Sequence, residues 1–311
     1  MTASANPHSA PRISVVMTVH NADAYVAASV ESVLAQSEPS WELVAVDDGS
    51  TDASAAILAH YADPRVRVVT LARNTGRTPA LRHACAKARG EYIAVLDADD
   101  IAHPERLAAQ REFLDRHSDF ALVGSWSEHI DVRGRVIARY KPPVDPEALH
   151  DSLGWTNPLV HSSAMFRRAC AEEVGGYPEY LVYAQDRGLL LALARRHRIA
   201  MLDSFLCKMR IVPGSMTRAG RYRALIAREE LSLLEYAAAH LKLGRESRRR
   251  NRRAIASTHA KLGVALARDG DLARGIASAF RAPLRDLSVL WDNPLFARWL
   301  GGSPAFLERC E

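Results

Sequence analysis

No stretch of this chain free of Lys, Arg, Asp and Glu is both long and apolar enough to span a bilayer. Residues Met1 to Pro11 have neither the charged start nor the apolar centre of a secretory signal. Both absences lead to the expectation of a cytoplasmic protein. Cysteine is scarce: Cys85, Cys170, Cys207 and Cys310 stand far apart with no metal-ligand spacing, which argues against a disulfide framework or a zinc cluster and suits incidental thiols. No Gly-x-Gly-x-x-Gly follows the first apolar run, where a dinucleotide-dependent oxidoreductase keeps its phosphate loop.

What is present is an ordinary globular composition: 311 residues, 48% hydrophobic and 25% charged, enough for one large or two modest domains. The formal charge of +5 is unevenly placed. Residues from Ala219 to Glu311 hold 17 Lys and Arg against 10 Asp and Glu, a net of +7, so the part before them carries −2. Two regions with different roles are expected.

Ile13 to Val19 is an apolar run that predicts a strand, and Tyr25, Val26, Val30, Val33 and Leu34 recur at helical spacing after it. The same alternation repeats. Leu43 to Val46 leads through Asp47-Asp48-Gly49-Ser50-Thr51-Asp52 into a helix from Asp52 to Ala62. Val66 to Leu71 leads through Asn74-Thr75-Gly76-Arg77 into one from Pro79 to Ala88. Tyr92 to Leu96 precedes one from Pro104 to His117. Four strand-helix units predict a doubly wound, mainly parallel sheet. An antiparallel excursion is expected from Phe120 to Ile130 and Val136 to Tyr140, followed by an extended segment over Asn157 to Arg167. A buried helix should start near Asp186, and a last extended run covers Ala200 to Ile211. From Arg221 the pattern is helical, with helices predicted over Arg221 to Leu241, Glu246 to Ala267, Asp271 to Phe280 and Leu284 to Trp291.

The chain is organised around Tyr92 to Asp100, a short apolar run ending in three acids. In an extended segment residues two apart point the same way, so Asp97 and Asp99 would converge at the C-terminal edge of the sheet, where open α/β sheets bind ligands. Convergent carboxylates repel unless a cation lies between them, and a hard divalent ion with phosphate oxygens meets that need. A plain acidic turn capping a helix is the competing reading, both here and for Asp186 at its helix start.

The order and spacing of these motifs resemble the inverting family 2 glycosyltransferases of the GT-A fold. The matching pieces are Ser14 to Asn21, Ser32 to Gln36, Val46 to Asp52, Asn74 to Arg77, Gly90 to Asp100, Asn157 to His161, Gly175-Gly176-Tyr177 and Gln185-Asp186. The resemblance covers Ile13 to Ser215. It implies a GT-A-like catalytic domain over residues 11–218, after a flexible tail over 1–10 and before a basic helical region over 219–311. It implies a hexosyltransferase-type enzyme using a nucleotide-sugar donor and a divalent metal, Mn2+ or Mg2+, with a saccharide or lipid-linked acceptor in bacterial polysaccharide or glycolipid synthesis. Thr18 and His20 would lie against the nucleotide, His20 replacing the family's more frequent Tyr. Asp48, with Asp47 beside it, would accept hydrogen bonds from base or ribose, and Arg77 would help hold the nucleotide. Asp97 and Asp99 match the family's Asp-x-Asp, Asp97 toward ribose and metal and Asp99 as metal ligand. Asp186 matches the general base. One position departs: Val212 stands where many relatives carry a His before Pro-Gly-Ser, which leaves Arg210 or Arg218 to take over any role of that His.

A sugar nucleotidyltransferase is the closer enzymatic rival, but its glycine-rich basic loop near the N-terminus is absent. The run Arg248-Arg249-Arg250-Asn251-Arg252-Arg253 raises a nucleic-acid-binding rival, yet no aromatic interleaving or binding module accompanies it, so no nucleic-acid partner is expected. That run, with Trp291, Phe296, Trp299 and Leu300, suits either peripheral attachment to the inner membrane face, or packing on the catalytic domain or a homodimer contact through the C-terminal helices.

Overall fold

Strands β1 (Ile13–Val19), β2 (Trp41–Asp47), β3 (Val66–Thr70) and β4 (Tyr92–Val95) pair in parallel in the order β3-β2-β1-β4. The computed structural model describes residues 10–213 and 222–285, with side chains to residue 281. Every position of β2 and β4 is buried, as strands covered on both faces should be, and the charged Glu42 within β2 is paired with Arg67 and Arg89. Helices α1 (Val26–Leu34), α2 (Ser54–Ala59) and α3 (Arg77–Lys87) connect these strands. Parallel pairing brings the C-terminal ends of β1, β2 and β4 to one edge, so the polar residues after Val19, Val46 and Leu96 gather there.

The sheet continues through a mixed half. Strand β5 (Ile101–Ala102) and helix α4 (Arg106–Arg116) precede the hairpin of β6 (Phe120–Ile130) and β7 (Val136–Tyr140). After α5 (Pro146–Ser152) come β8 (Met165–Arg167), α6 (Arg168–Glu173), α7 (Gln185–Ala194) and β9 (Arg198–Arg210). The strand order runs on as β4-β8-β6-β9-β5. β8 is antiparallel to β4 and β6, whereas β9 is parallel to β6. The expected α/β sheet with its antiparallel hairpin is present, and β5 and β8 add further antiparallel pairings.

The chain divides into two compact units, residues 1–150 with 157–215, and residues 151–156 with 216–311. The core of the first unit packs β1 residues Ile13, Val15 and Met17 with α1 residues Val26, Val30 and Val33, and with Trp41, Leu107 and Leu114. The second consists, among the described residues, of α8 (Arg223–His240), α9 (Arg245–Arg268) and α10 (Leu272–Arg285), with Ala224, Ala227, Leu262, Ala265 and Leu266 in its core. Asn251 Nδ2 ties α9 to the carbonyl of Leu234 at 2.9 Å and also reaches that of Gly154. No helix among the described residues is long and apolar enough to cross a membrane.

Three local expectations are corrected, and two short helices are added. The segment Asn157 to Arg167 is extended only at Met165–Arg167; His161–Ser163 forms a 3-10 turn, because the Ser163 hydroxyl bonds the Val160 carbonyl at 2.7 Å and offers the backbone an alternative to a ladder. Helix α3 starts at Arg77 rather than Pro79, placing the proline within its first turn, where its missing N–H costs nothing. Helices α5 and α6 span seven and six residues, too short for a periodic signal. Helix α10 runs on past Phe280 to Arg285, so the expected break before Leu284 is absent; residues 286–291 of the expected last helix, and Arg218, lie outside the described residues.

Gly90 allows β4 to enter beside β1: a Cβ there would sit 2.6 Å from the Ser14 backbone nitrogen. Gly90→Ala should therefore cost about 1–3 kcal/mol of stability by overpacking. Calorimetry should show a lowered Tm, and an unchanged Tm would mean this strand edge yields freely.

Candidate active site

Beyond β4 the chain leaves the sheet, and the Asp100 N–H bonds the Asp97 carbonyl at 3.1 Å to close a turn. The acids therefore converge through a turn rather than through the strand alternation expected from sequence. One oxygen from each of Asp97, Asp99 and Asp100 lies within 4.8 Å of the others. The turn is pinned from several sides. Ser162 Oγ accepts the Asp97 N–H at 3.0 Å and donates to Asp100. The Arg210 N–H donates to Asp100 Oδ1 at 2.7 Å, and its Nε donates to the Asp99 carbonyl at 2.9 Å. Its guanidinium also lies 4.7 Å from the Tyr25 ring centroid. Beneath, the fully buried Arg106 donates through Nη2 to the carbonyls of Val95 (2.8 Å) and Ala164 (3.0 Å).

The three acids have divergent electrostatics. Burial alone would raise Asp97, but the charge of Arg77 and the contact with His161 outweigh it and hold this carboxyl well below the usual range. Asp99 is pushed up by burial and then by Asp97, and Asp100 is pushed well up by burial and by both neighbours. Among the described residues, the Asp99 carboxylate has no ion pair or side-chain hydrogen bond. Two carboxylates raised by burial and then by neighbouring negative charge, one of them unengaged, form a donor set that fits a hard divalent cation.

The expected nucleotide side is stitched together at the same edge. Asp48 Oδ1 accepts the Thr75 N–H (2.7 Å) and hydroxyl (2.8 Å), and its Oδ2 accepts the Gly76 N–H at 2.9 Å. Asp48 thus binds the loop that precedes Arg77, an engagement that sequence reasoning did not foresee. Asp47 is buried, with Oδ1 accepting the Ser50 N–H at 3.3 Å and Oδ2 making no hydrogen bond. His20 is exposed and donates through Nδ1 to the Asp48 carbonyl at 3.0 Å. Thr18 is the half-buried position of β1, in register with Val46.

Arg77 joins the two sides. Its Nη2 bonds Asp97 Oδ2 at 2.5 Å and lies 3.3 Å from His161 Nδ1. With the Gln185 amide oriented so that its nitrogen donates to the carbonyls of Tyr183 (2.9 Å) and Val182 (3.3 Å), its oxygen accepts from Arg77 Nε at 3.2 Å. Burial works against the Arg77 charge, while Asp97 foremost, then Asp186 and Asp99, sustain it. Asp186, in the first turn of α7, does not cap that helix: the cap position is Ala184. Its Oδ2 instead accepts from Asn157 Nδ2 at 2.9 Å. Behind them, Tyr177 Oη lies 2.8 Å from His161 Nε2, and burial, then Cys85, Asp186 and Asp97, keep the phenol protonated. Asn157, His161, Tyr177 and Gln185 stood in the matched motifs without assigned roles, whereas Ser162 and Arg106 gave no signal, since a serine in a polar loop and an arginine at a helix start are commonplace.

An α/β sheet presenting buried acids and an arginine at the C-terminal ends of its parallel strands is a nucleotide-binding type of scaffold. The Glycosyl transferase family 2 model matches residues 14–175. ExoO of Rhizobium meliloti (strain 1021), a succinoglycan biosynthesis protein, is 32% identical over 245 residues, covering 73% of this chain and 69% of its own. EpsE of Bacillus subtilis (strain 168), provisionally named a glycosyltransferase, is 34% identical over 174 residues, or 55% of this chain; the match spans 61% of EpsE. The chain belongs to glycosyl transferase family 2. In fold it is similar to the mannosyltransferase PcManGT of Pyrobaculum calidifontis, solved with GDP-Man and Mn2+, at a TM-score of 0.60 and 21% identity over 95% of this chain and 85% of that one.

A pH series tests the cation fit. With folded-state pKa values raised, ionised Asp99 and Asp100 destabilise the fold at neutral pH, and this penalty fades as acidification protonates them. Mn2+ should therefore raise Tm most at neutral and alkaline pH, with the increment shrinking on acidification through those raised values. An increment independent of pH would place the ion elsewhere.

Proposed function

We propose that this chain transfers a sugar, of hexosyl type, from a nucleoside-diphosphate donor to an acceptor hydroxyl with inversion at the anomeric carbon. The observation that carries this reading is the meeting of Asp97, Asp99, Asp100, Arg77 and Asp186 around one sheet edge. Thr18, His20 and Asp47 would face the nucleoside, with Asp48 holding the loop before Arg77 in place. Asp99, assisted by Asp97, would hold the divalent ion, Mn2+ or Mg2+. Such an ion neutralises charge on the departing diphosphate as a Lewis acid. The Arg77 cation, oriented by Asp97 and Gln185, would add to that stabilisation.

Asp186 would take the proton of the acceptor hydroxyl: Asn157 fixes Oδ2 and leaves Oδ1 for the incoming group. One displacement needs one base and no carboxylate nucleophile, which supports inversion. The likeness to ExoO supports a saccharide or lipid-linked acceptor in polysaccharide synthesis, and the likeness to PcManGT supports a metal-bound nucleotide sugar. A cytoplasmic location suits such donors.

Asp99→Asn should weaken Mn2+-dependent binding of UDP or GDP in calorimetry and nearly abolish transfer. Activity indifferent to both EDTA and this change would overturn the metal assignment. Asp186→Asn should leave donor binding nearly intact while transfer falls by about 100- to 10,000-fold. Equal loss of donor binding would make Asp186 structural, and retention at the anomeric carbon by NMR would refute the single displacement.

A further inference from the structure

Helix α10 is turned inside out relative to an ordinary amphipathic helix. It packs on α9 through small residues: Gly275, Ser278 and Ala279 face that helix, and a Cβ on Gly275 would lie 2.8 Å from the Gly263 carbonyl. The Ser278 hydroxyl donates to the His259 carbonyl at 3.0 Å. Its large apolar residues up to Phe280 point the other way. Leu272, Ile276 and Phe280 are 62%, 48% and 70% exposed, and at about 3.6 residues per turn their spacing of four aligns them in one stripe. Ala273 and Ala277, also exposed, widen it. Arg274 and Arg281, both exposed, border the stripe, and Arg274 also lies 3.4 Å from Asp271 at the helix start.

We infer that α10 is an interfacial helix that docks on an anionic lipid surface through Leu272, Ile276 and Phe280, with Arg274 and Arg281 against the headgroups. Charge selects this occupant. Residues 223–285 hold 14 Lys and Arg against 6 Asp and Glu, so a second copy laid on the same stripe would oppose two strongly cationic faces. An anionic leaflet instead attracts them, and an apolar stripe edged by arginine is the pattern of helices that lie in the membrane plane. The arginine run of α9 is partly committed within its own unit: Arg248 donates to the Leu243 carbonyl at 2.5 Å, and Arg250 pairs with Glu246 and lies 5.0 Å from the Trp155 ring centroid. The docking face therefore belongs to α10 rather than to that run.

The full chain should co-sediment with vesicles of phosphatidylcholine containing phosphatidylglycerol, but not with phosphatidylcholine alone, and added salt should release it. Changing Arg274 or Arg281 to Gln should weaken partitioning about five-fold each. Phe280→Ser should weaken it about ten-fold or more. All three side chains are exposed, so folding should survive, which circular dichroism checks. The inference is overturned by absence of binding to either vesicle at low salt, or by binding that these changes leave untouched, which would point to residues 286–311. It is equally overturned by a solution dimer that Phe280→Ser dissolves, which would make the stripe an interface between copies.

Discussion

Mutual repulsion among three carboxylates confined to one turn is the constraint around which the catalytic-type unit is built. Asp97, Asp99 and Asp100 cannot be ionised together in a half-buried turn unless positive charge or hydrogen-bond donors surround them. The structure supplies these from positions far apart in sequence: Arg77 from α3, Ser162 from the 3-10 turn, and Arg210 from the end of β9. Arg106, wholly buried under the turn, adds a charge that Asp100 helps to retain, although burial lowers its affinity for the proton. The compensation is uneven. Asp97 is stabilised as an anion and Asp99 is left in excess, and that imbalance is what suits the turn to a cation.

A second consequence is that the proposed nucleotide and acceptor sides are coupled through one arginine. Asp48 fixes Thr75 and Gly76, and α3 begins at the next residue, so the position of Arg77 depends on the end of β2. Gln185, which accepts its Nε–H, is the immediate neighbour of Asp186. Displacing Arg77 would disturb Asp97 and the start of α7 together. Tyr177 and His161 close the back of this arrangement, giving Asp97 a polar, hydrogen-bonded wall.

The helical unit follows a different logic. Gly263 and Gly275 let α9 and α10 approach so closely that large side chains are excluded from between them. The apolar residues of α10 are then left outside, where burial needs an external partner. Close packing and an exposed apolar stripe are thus two results of one placement of small residues.

Much of this was legible in the chain itself. Apolar runs such as Val15 to Val19 and Leu43 to Val46 must bury both faces, so strand-helix alternation and the sheet edge bearing Asp48 and Asp97 follow from local chemistry. Glycine at 76 and acids after β4 mark where the chain turns. Tertiary structure alone decided which distant groups serve those acids. Hydrogen bonds from Ser162 to Asp100 and from Asn157 to Asp186 link residues 62 and 29 positions apart, and no periodicity records such pairs. It likewise decided which face of α10 is covered, since the sequence shows an apolar stripe but not that α9 would take the small-residue side instead. Local patterning dictates backbone conformation because it acts over one or two turns; partners across the fold are set by where the whole sheet brings its loops.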